Sequence, residues 1–207
     1  MLAGMISRIL LYLKAPWAGF VKTRIGRTAG HEEALRVYRW LVERQLKALP
    51  DFAKVEIHFA PENAATEMKE WLGDEFFYYP QCEGDLGDRM REAVKSAFSR
   101  GKGPVICIGA DCPTLMSQDI CDAISFLKNG ADLVFGPTHD GGYYLLGLKG
   151  FQPEIFRQIP WSSEQTLEVS LERAGEAGLN VELLGRKSDI DEASDWEEFC
   201  RESGLLW

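Results

Sequence analysis

Histidine is scarce, with three residues, and the five cysteines, Cys82, Cys107, Cys112, Cys121 and Cys200, form an odd set without a Cys-x-x-Cys pair. That pattern argues against a disulfide framework and against a cysteine zinc site, and it suits the reduced thiols of a cytoplasmic protein. Cations are in the minority. Lys and Arg number 23 against 32 Asp and Glu, a formal charge of -9. General attraction to nucleic acid or to an anionic membrane is therefore not expected, and any polyanionic ligand has to be held by local charge. Long apolar runs are lacking too. The stretch Ile6 to Leu13 is short and interrupted by Arg8, no small-residue cleavage site follows it, and no later run approaches a membrane span. Repeats, low-complexity tracts and Ser/Pro-rich linkers are absent, so a chain of 207 residues, 45% hydrophobic, is expected to form one domain over 1–207.

What is present is an alternation. Short apolar, strand-like runs at Arg8 to Leu13, Val55 to Ala60, Phe76 to Tyr79, Val105 to Gly109, Leu133 to Gly136, Tyr143 to Leu148 and Val181 to Leu184 alternate with amphipathic segments. The helical spacing of Leu35, Tyr38, Leu41, Val42 and Leu46 predicts a helix over Glu32 to Ala48, and others are expected at Glu62 to Trp71, Leu86 to Phe98, Gln118 to Leu127, Glu164 to Ala177 and Glu192 to Glu202. Such an alternation predicts an α/β fold, a mostly parallel sheet covered by helices on both faces. The rhythm breaks once: Pro137 to Gly142 is too short for a crossover helix between two strands.

Ligands of open α/β sheets sit at the carboxyl ends of strands, so the loops there are the candidate sites. The first loop, Lys14 to Arg27, carries four cations and no acid. Gly19 permits close backbone approach, and Lys22 and Arg24 offer a point charge and a planar fork to phosphate oxygens. Its Val-Lys-Thr23 ending is not a P-loop, which needs Gly immediately before the Lys. In Gln81 to Met90, Asp85 is either a helix cap or a ligand contact, and the two roles can coexist. In Gly109-Ala-Asp-Cys-Pro113, Asp111 ends a buried strand, where a carboxylate can hold a hard cation; an Asx turn ahead of Pro113 is the alternative. Cys112 lacks any sign of a partner base and reads as an inert thiol. In Gly136 to Tyr144, Asp140 offers a carboxylate, and Gly141 and Gly142 either admit a ligand or make a hairpin turn. His139 has no zinc-spaced partner. Near the C-terminus, Asp189 and Asp191 could join Asp111 around a cation, or Asp191 could cap the last helix.

Taken in order, Lys14-Ala-Pro-x-x-Gly-x-Val-Lys-Thr-Arg24, Gly84-Asp-Leu-Gly-Asp-Arg-Met90, Ile108-Gly-Ala-Asp-Cys-Pro113, Gly136-Pro-x-x-Asp-Gly-Gly-Tyr-Tyr-Leu-x-Gly147, Trp161-Ser162 and Asp189-Ile-Asp191 resemble bacterial glycosyltransferase-like proteins of the DUF2064 type, relatives of the nucleotide-diphospho-sugar transferases. The resemblance implies a GT-A-like three-layer α/β/α sandwich around a mixed, mainly parallel sheet. It implies nucleotide or substrate contacts from Lys14, Gly19, Lys22, Thr23, Arg24, Asp85, Arg89 and Gly109, and an acceptor or sugar side formed by Asp140, Gly141, Gly142 and Tyr143. Mg²⁺ or Mn²⁺ would be held by Asp111 and Asp191, with Asp189 as substitute, and the chemistry carried by Asp111, Asp140 and Lys22. The implied partner is a nucleotide or nucleotide-sugar donor, with no nucleic acid and no membrane span. Three activities stay open: glycosyl transfer, nucleotidyl transfer with pyrophosphate release, and nucleotide binding without turnover. The single aspartate of Gly109-Ala-Asp-Cys-Pro113, where sugar-transfer enzymes carry Asp-x-Asp, weakens the first relative to the second.

Overall fold

A computed structural model describes residues 6–207 of the chain; residues 1–5 of the expected domain lie outside the described residues. Seven strands form one sheet: β1 (Arg8–Lys14), β2 (Lys54–Ala60), β3 (Phe77–Pro80), β4 (Val105–Ile108), β5 (Leu133–Pro137), β6 (Tyr143–Leu148) and β7 (Val181–Leu183). Their order is β3-β2-β1-β4-β6-β5-β7. All neighbours are parallel except β6, which runs antiparallel to both β4 and β5. The short link Pro137 to Gly142 is the cause, because it can close a hairpin but not a crossover. The sheet is mixed and mainly parallel, as expected.

Period-two alternation sends successive side chains to opposite layers. Ile9, Leu11 and Leu13 of β1 and Ile106 and Ile108 of β4 pack with α2 (His31–Lys47), α3 (Ala65–Leu72) and α5 (Ser117–Lys128). Leu10, Val105 and Cys107 face the other way, onto α4 (Leu86–Ser99) and α6 (Thr166–Glu176). This is the three-layer sandwich. A third cluster joins Ile25, Val37, Leu41, Ile190 and Trp196, and so docks α7 (Ala193–Ser203) on α2 beside the first loop.

The first loop departs from its sequence reading. Its second half is a helix, α1 (Thr23–Ala29), where only a loop was expected. The segment has a central glycine, a β-branched first residue and no acid in its first turn, all poor local signals. Burial of Ile25 in the third cluster, a tertiary term, stabilises it instead. The helix expected over Glu62 to Trp71 likewise begins as a 3-10 turn at Glu62–Ala64 before α3. Among the described residues, no helix is long and apolar enough to cross a membrane.

Candidate active site

The carboxyl ends of the six parallel strands share one edge of the sheet, and a cleft of about 840 Å³ opens there. Three loops are tied together at its floor. The Ile190 N–H donates to the Asp111 carbonyl at 2.8 Å, joining the loop after β4 to the segment ahead of α7. Lys22, from the loop after β1, donates its ammonium to the Ile190 carbonyl and pairs with the Asp111 carboxylate, with Asp191 Oδ1 at 3.7 Å. Two carboxylates eighty positions apart thus converge on one cation, but that cation is the lysine. The side chain of Lys22 is only 6% exposed, and its backbone is in the left-handed region at φ 44. A non-glycine residue held there stores strain, a common property of functional sites.

One expectation is corrected by this arrangement. Lys22 is not free to reach phosphate, because its ammonium is committed to Asp111, Asp191 and Ile190. Asp111, Asp189 and Asp191 all line the cleft, while among the described residues no three acidic, His or Cys side chains are drawn together as in a formed metal site. The electrostatics still call for more positive charge than Lys22 supplies. Burial, then the neighbouring carboxylates of Asp111, Asp140 and Asp191, push the Asp189 carboxyl up to about 7, against the opposing pull of Lys22. Asp189 Oδ1 is buried and has no hydrogen-bond partner. An orphaned Asp189 oxygen in a cleft also lined by Asp111, Asp140 and Asp191 offers hard oxygen donors only, a chemistry that fits Mg²⁺ or Mn²⁺. The Asp191 carboxylate is not spent on capping the last helix and faces Lys22 and Arg24. The last helix is capped instead by Asp195, whose carboxylate accepts from the N–H groups of Asp191 and Glu192 at 2.9 and 2.7 Å.

The remaining expected residues divide. Lys14, Thr23, Arg24, Arg89, Gly109, Asp140, Gly142 and Tyr143 all line the cleft. Arg24 is 61% exposed and reaches Asp191 at 3.4 Å, so most of its guanidinium is open to a ligand. A Cβ at Gly109 would meet nothing within 4 Å, leaving open space beside Asp111. Asp140 is held by the Thr138 hydroxyl and by the Gly142 N–H at 3.1 Å. Gly19 and Asp85 are not in the lining. Asp85 caps α4, accepting the Asp88 N–H at 2.8 Å, and that is the role the structure gives it. Gly141 is a further correction: at φ +88 it lies against the backbone of Glu164, so the close approach it permits is to the protein's own chain and not to a ligand.

Several cleft residues had no distinctive sequence signal. Tyr38 lies on a helix face and reads as core, yet its hydroxyl accepts from the Lys14 N–H at 2.8 Å and donates to the Lys14 carbonyl at 2.9 Å, fixing the start of the first loop. Gln81 donates to the Leu13 and His58 carbonyls and stitches the ends of β1 and β2. Trp161, Ser162 and Glu164 form a wall on the β6 side; the Trp161-Ser162 string was visible but suggested no role. Cys112 is buried, and burial raises its thiol to about 11, as an inert residue requires.

The family model described as an uncharacterized protein conserved in bacteria, DUF2064, matches residues 45–163. A candidate nucleotide-diphospho-sugar transferase from Desulfovibrio desulfuricans G20 is 32% identical, with 96% of this chain and 88% of that one covered and a TM-score of 0.90. More distant structures share the fold. CMP:2-keto-3-deoxy-manno-octonic acid synthetase, solved with CTP, is 12% identical over 97% of this chain and 100% of its own, at a TM-score of 0.58. The Rv0371C protein of Mycobacterium tuberculosis H37Rv, in complex with manganese, is 14% identical over 95% and 98%, at 0.55. No curated protein matches the chain.

Proposed function

The chain belongs to the DUF2064 family, and from that membership and its acidic cleft we propose that it is a divalent-cation-dependent transferase acting on a nucleotide-activated donor, in the first instance a nucleotide sugar. The observation that carries this reading is the pairing of Asp111 and Asp191 with one buried lysine at the carboxyl edge of the sheet, in a cleft that Asp140 and Asp189 also line. Four acidic side chains against Lys22 and the largely exposed Arg24 make an oxygen-rich, acidic surface, which suits a cation and the diphosphate it accompanies. Asp111, Asp189 and Asp191 would hold Mg²⁺ or Mn²⁺. When bound, the ion would neutralise phosphate oxygens and stabilise charge on a departing diphosphate.

The chain's own groups account for the rest. Arg24 presents its guanidinium fork to phosphate oxygens, with Lys14 and Thr23 on the same cleft surface. Lys22 orients Asp111 and Asp191 and balances part of their charge. Asp140, kept in place by Thr138 and Gly142, is the candidate base toward an acceptor hydroxyl. A second reading, nucleotidyl transfer from a nucleoside triphosphate to a phosphorylated acceptor, draws support from Gly109-Ala-Asp-Cys-Pro113, which has one aspartate where sugar-transfer enzymes carry two.

The test is a panel of nucleotide sugars and nucleoside triphosphates, each with Mn²⁺ or Mg²⁺. Release of nucleoside diphosphate supports glycosyl transfer, and release of pyrophosphate supports nucleotidyl transfer. Tight nucleotide binding with no turnover on any donor would reduce the protein to a binding module. No binding at all would sink the proposal.

A further inference from the structure

Phosphate and cation chemistry leaves one wall of the cleft unexplained. There the indole of Trp161 lies on α4 at Gly87, where a Cβ would run into the ring, and meets Tyr143 edge-on at 6.4 Å between centroids. Tyr143 in turn abuts Phe135 at 5.0 Å. The segment that carries Trp161 is held rigidly. Ser163 Oγ and Thr166 Oγ1 donate to the Pro160 carbonyl at 2.8 and 2.9 Å, and the Leu167 N–H donates to the Gly141 carbonyl at 2.9 Å. Within it Ser162 is in the left-handed region at φ 60, and Ser162 and Glu164 are exposed at the cleft with no side-chain partner among the described residues.

We propose that this wall seats the hexose ring of the donor, with the apolar C–H face of the sugar on Trp161 and its hydroxyls on Glu164 and Ser162. The inference rests on the nucleotide-donor reading above and names the transferred group. A flat apolar ring beside a free carboxylate and a free hydroxyl suits a neutral, hydroxyl-rich ligand, which offers a C–H face and several O–H donors at once. Phosphate does not suit it, because Glu164 and Asp140 on the same side would repel an anion. The position agrees as well. Asp140, Asp189 and Trp161 line one cleft, and Gly141, next to Asp140, packs on Glu164, so the wall adjoins the aspartates. A sugar attached to a diphosphate held at the aspartates would reach it next. Because the Trp161 indole is already packed on Gly87 and Tyr143, little ordering of the ring is required on binding.

The experiment is isothermal titration, in Mn²⁺, of ADP, CDP, GDP, UDP and dTDP and of their hexose conjugates. In the wild type one base is expected to bind, with the hexose conjugate tighter than the diphosphate. Trp161→Ala and Glu164→Gln should each erase about fivefold of that increment, the scale of one aromatic or hydrogen-bonded contact, and leave the diphosphate affinity unchanged. Trp161→Phe should keep most of it. Gly87→Ala, which displaces the indole without deleting it, should mimic Trp161→Ala, and thermal melts of every variant establish that it is folded. Equal losses for diphosphate and conjugate would place the base on Trp161 and overturn the inference. So would an increment that survives both Trp161→Ala and Glu164→Gln. A wild type that binds no nucleotide would sink the donor reading itself, and this assignment with it.

Discussion

Lys22 and Arg24 stand two positions apart in one basic string, yet their surroundings assign them different work. Lys22 is buried against Asp111 and Asp191, whereas Arg24 is mostly in solvent. Arg24→Ala is therefore expected to weaken nucleoside diphosphate binding by about tenfold, the loss of one charge-assisted contact, with little change in melting temperature. Nucleoside binding should barely move, which competition titrations would check. Lys22→Met should instead destabilise the metal-free protein by about 1 kcal/mol, because carboxylates that are half exposed lose their counter-charge but keep part of their solvation. Added Mn²⁺ should raise the melting temperature of that variant more than that of the wild type. Equal shifts in the two proteins would mean that Lys22 and the cation do not share the carboxylates. Asp189 contributes its own pH dependence. Its carboxyl, ordinarily near 3.8 and raised to about 7 in the fold, holds a proton that the unfolded chain gives up. Its contribution to metal-free stability is thus fully present below about pH 4 and is lost as pH rises through 7. Melts in chelator should fall over that window in the wild type and flatten in Asp189→Asn, while Mn²⁺ affinity should rise across the same range with proton release.

At the scale of elements, the site is built by ties between loops, and the β5–β6 hairpin shows how much depends on one of them. Gly141 has φ +88 and lies against the Glu164 backbone, so an alanine there would meet both an unfavourable left-handed conformation and a collision. Gly141→Ala should cost about 2 to 4 kcal/mol in denaturant unfolding, the sum of a strained φ and a displaced backbone. It should also loosen the segment carrying Trp161. A variant as stable as the wild type would show that the hairpin and the Trp161 segment are not locked together. The link from Ile190 to Asp111 works similarly between β4 and α7. Because Asp111 and Asp191 both face Lys22, Asp111→Asn and Asp191→Asn should be sub-additive when combined, in Mn²⁺ titrations as in melts. Strict additivity would separate the two carboxylates into independent sites.

For the molecule as a whole, a charge of -9 and a cluster of four aspartates at one sheet edge make the unliganded state electrostatically unfavourable just where ligands are proposed to bind. Cation and nucleotide should therefore stabilise the fold cooperatively: the melting temperature rise with Mn²⁺ and nucleoside diphosphate together should exceed the sum of the two separate rises. Strictly additive shifts would mean that the two ligands bind apart.

Much of this architecture was legible in the residues. Period-two apolar runs and helical spacing marked all seven strands and the six longer helices, because those patterns state which side chains leave water and so need no tertiary information. The same reading placed Asp111 and Asp140 in loops at strand ends and left Asp191, near the C-terminus, between a cation ligand and a helix cap. What it could not supply was distance. That Lys22 turns inward to the aspartates, that α1 forms at all, that Gly141 faces Glu164 and that Trp161 walls the cleft are decided by contacts between segments remote in the chain. Local sequence is nearly silent about them. Helix propensity and turn chemistry act over a few residues, whereas the burial of Ile25 and the pairing of Lys22 with Asp191, 169 positions away, exist only once the sheet has brought its loops to one edge.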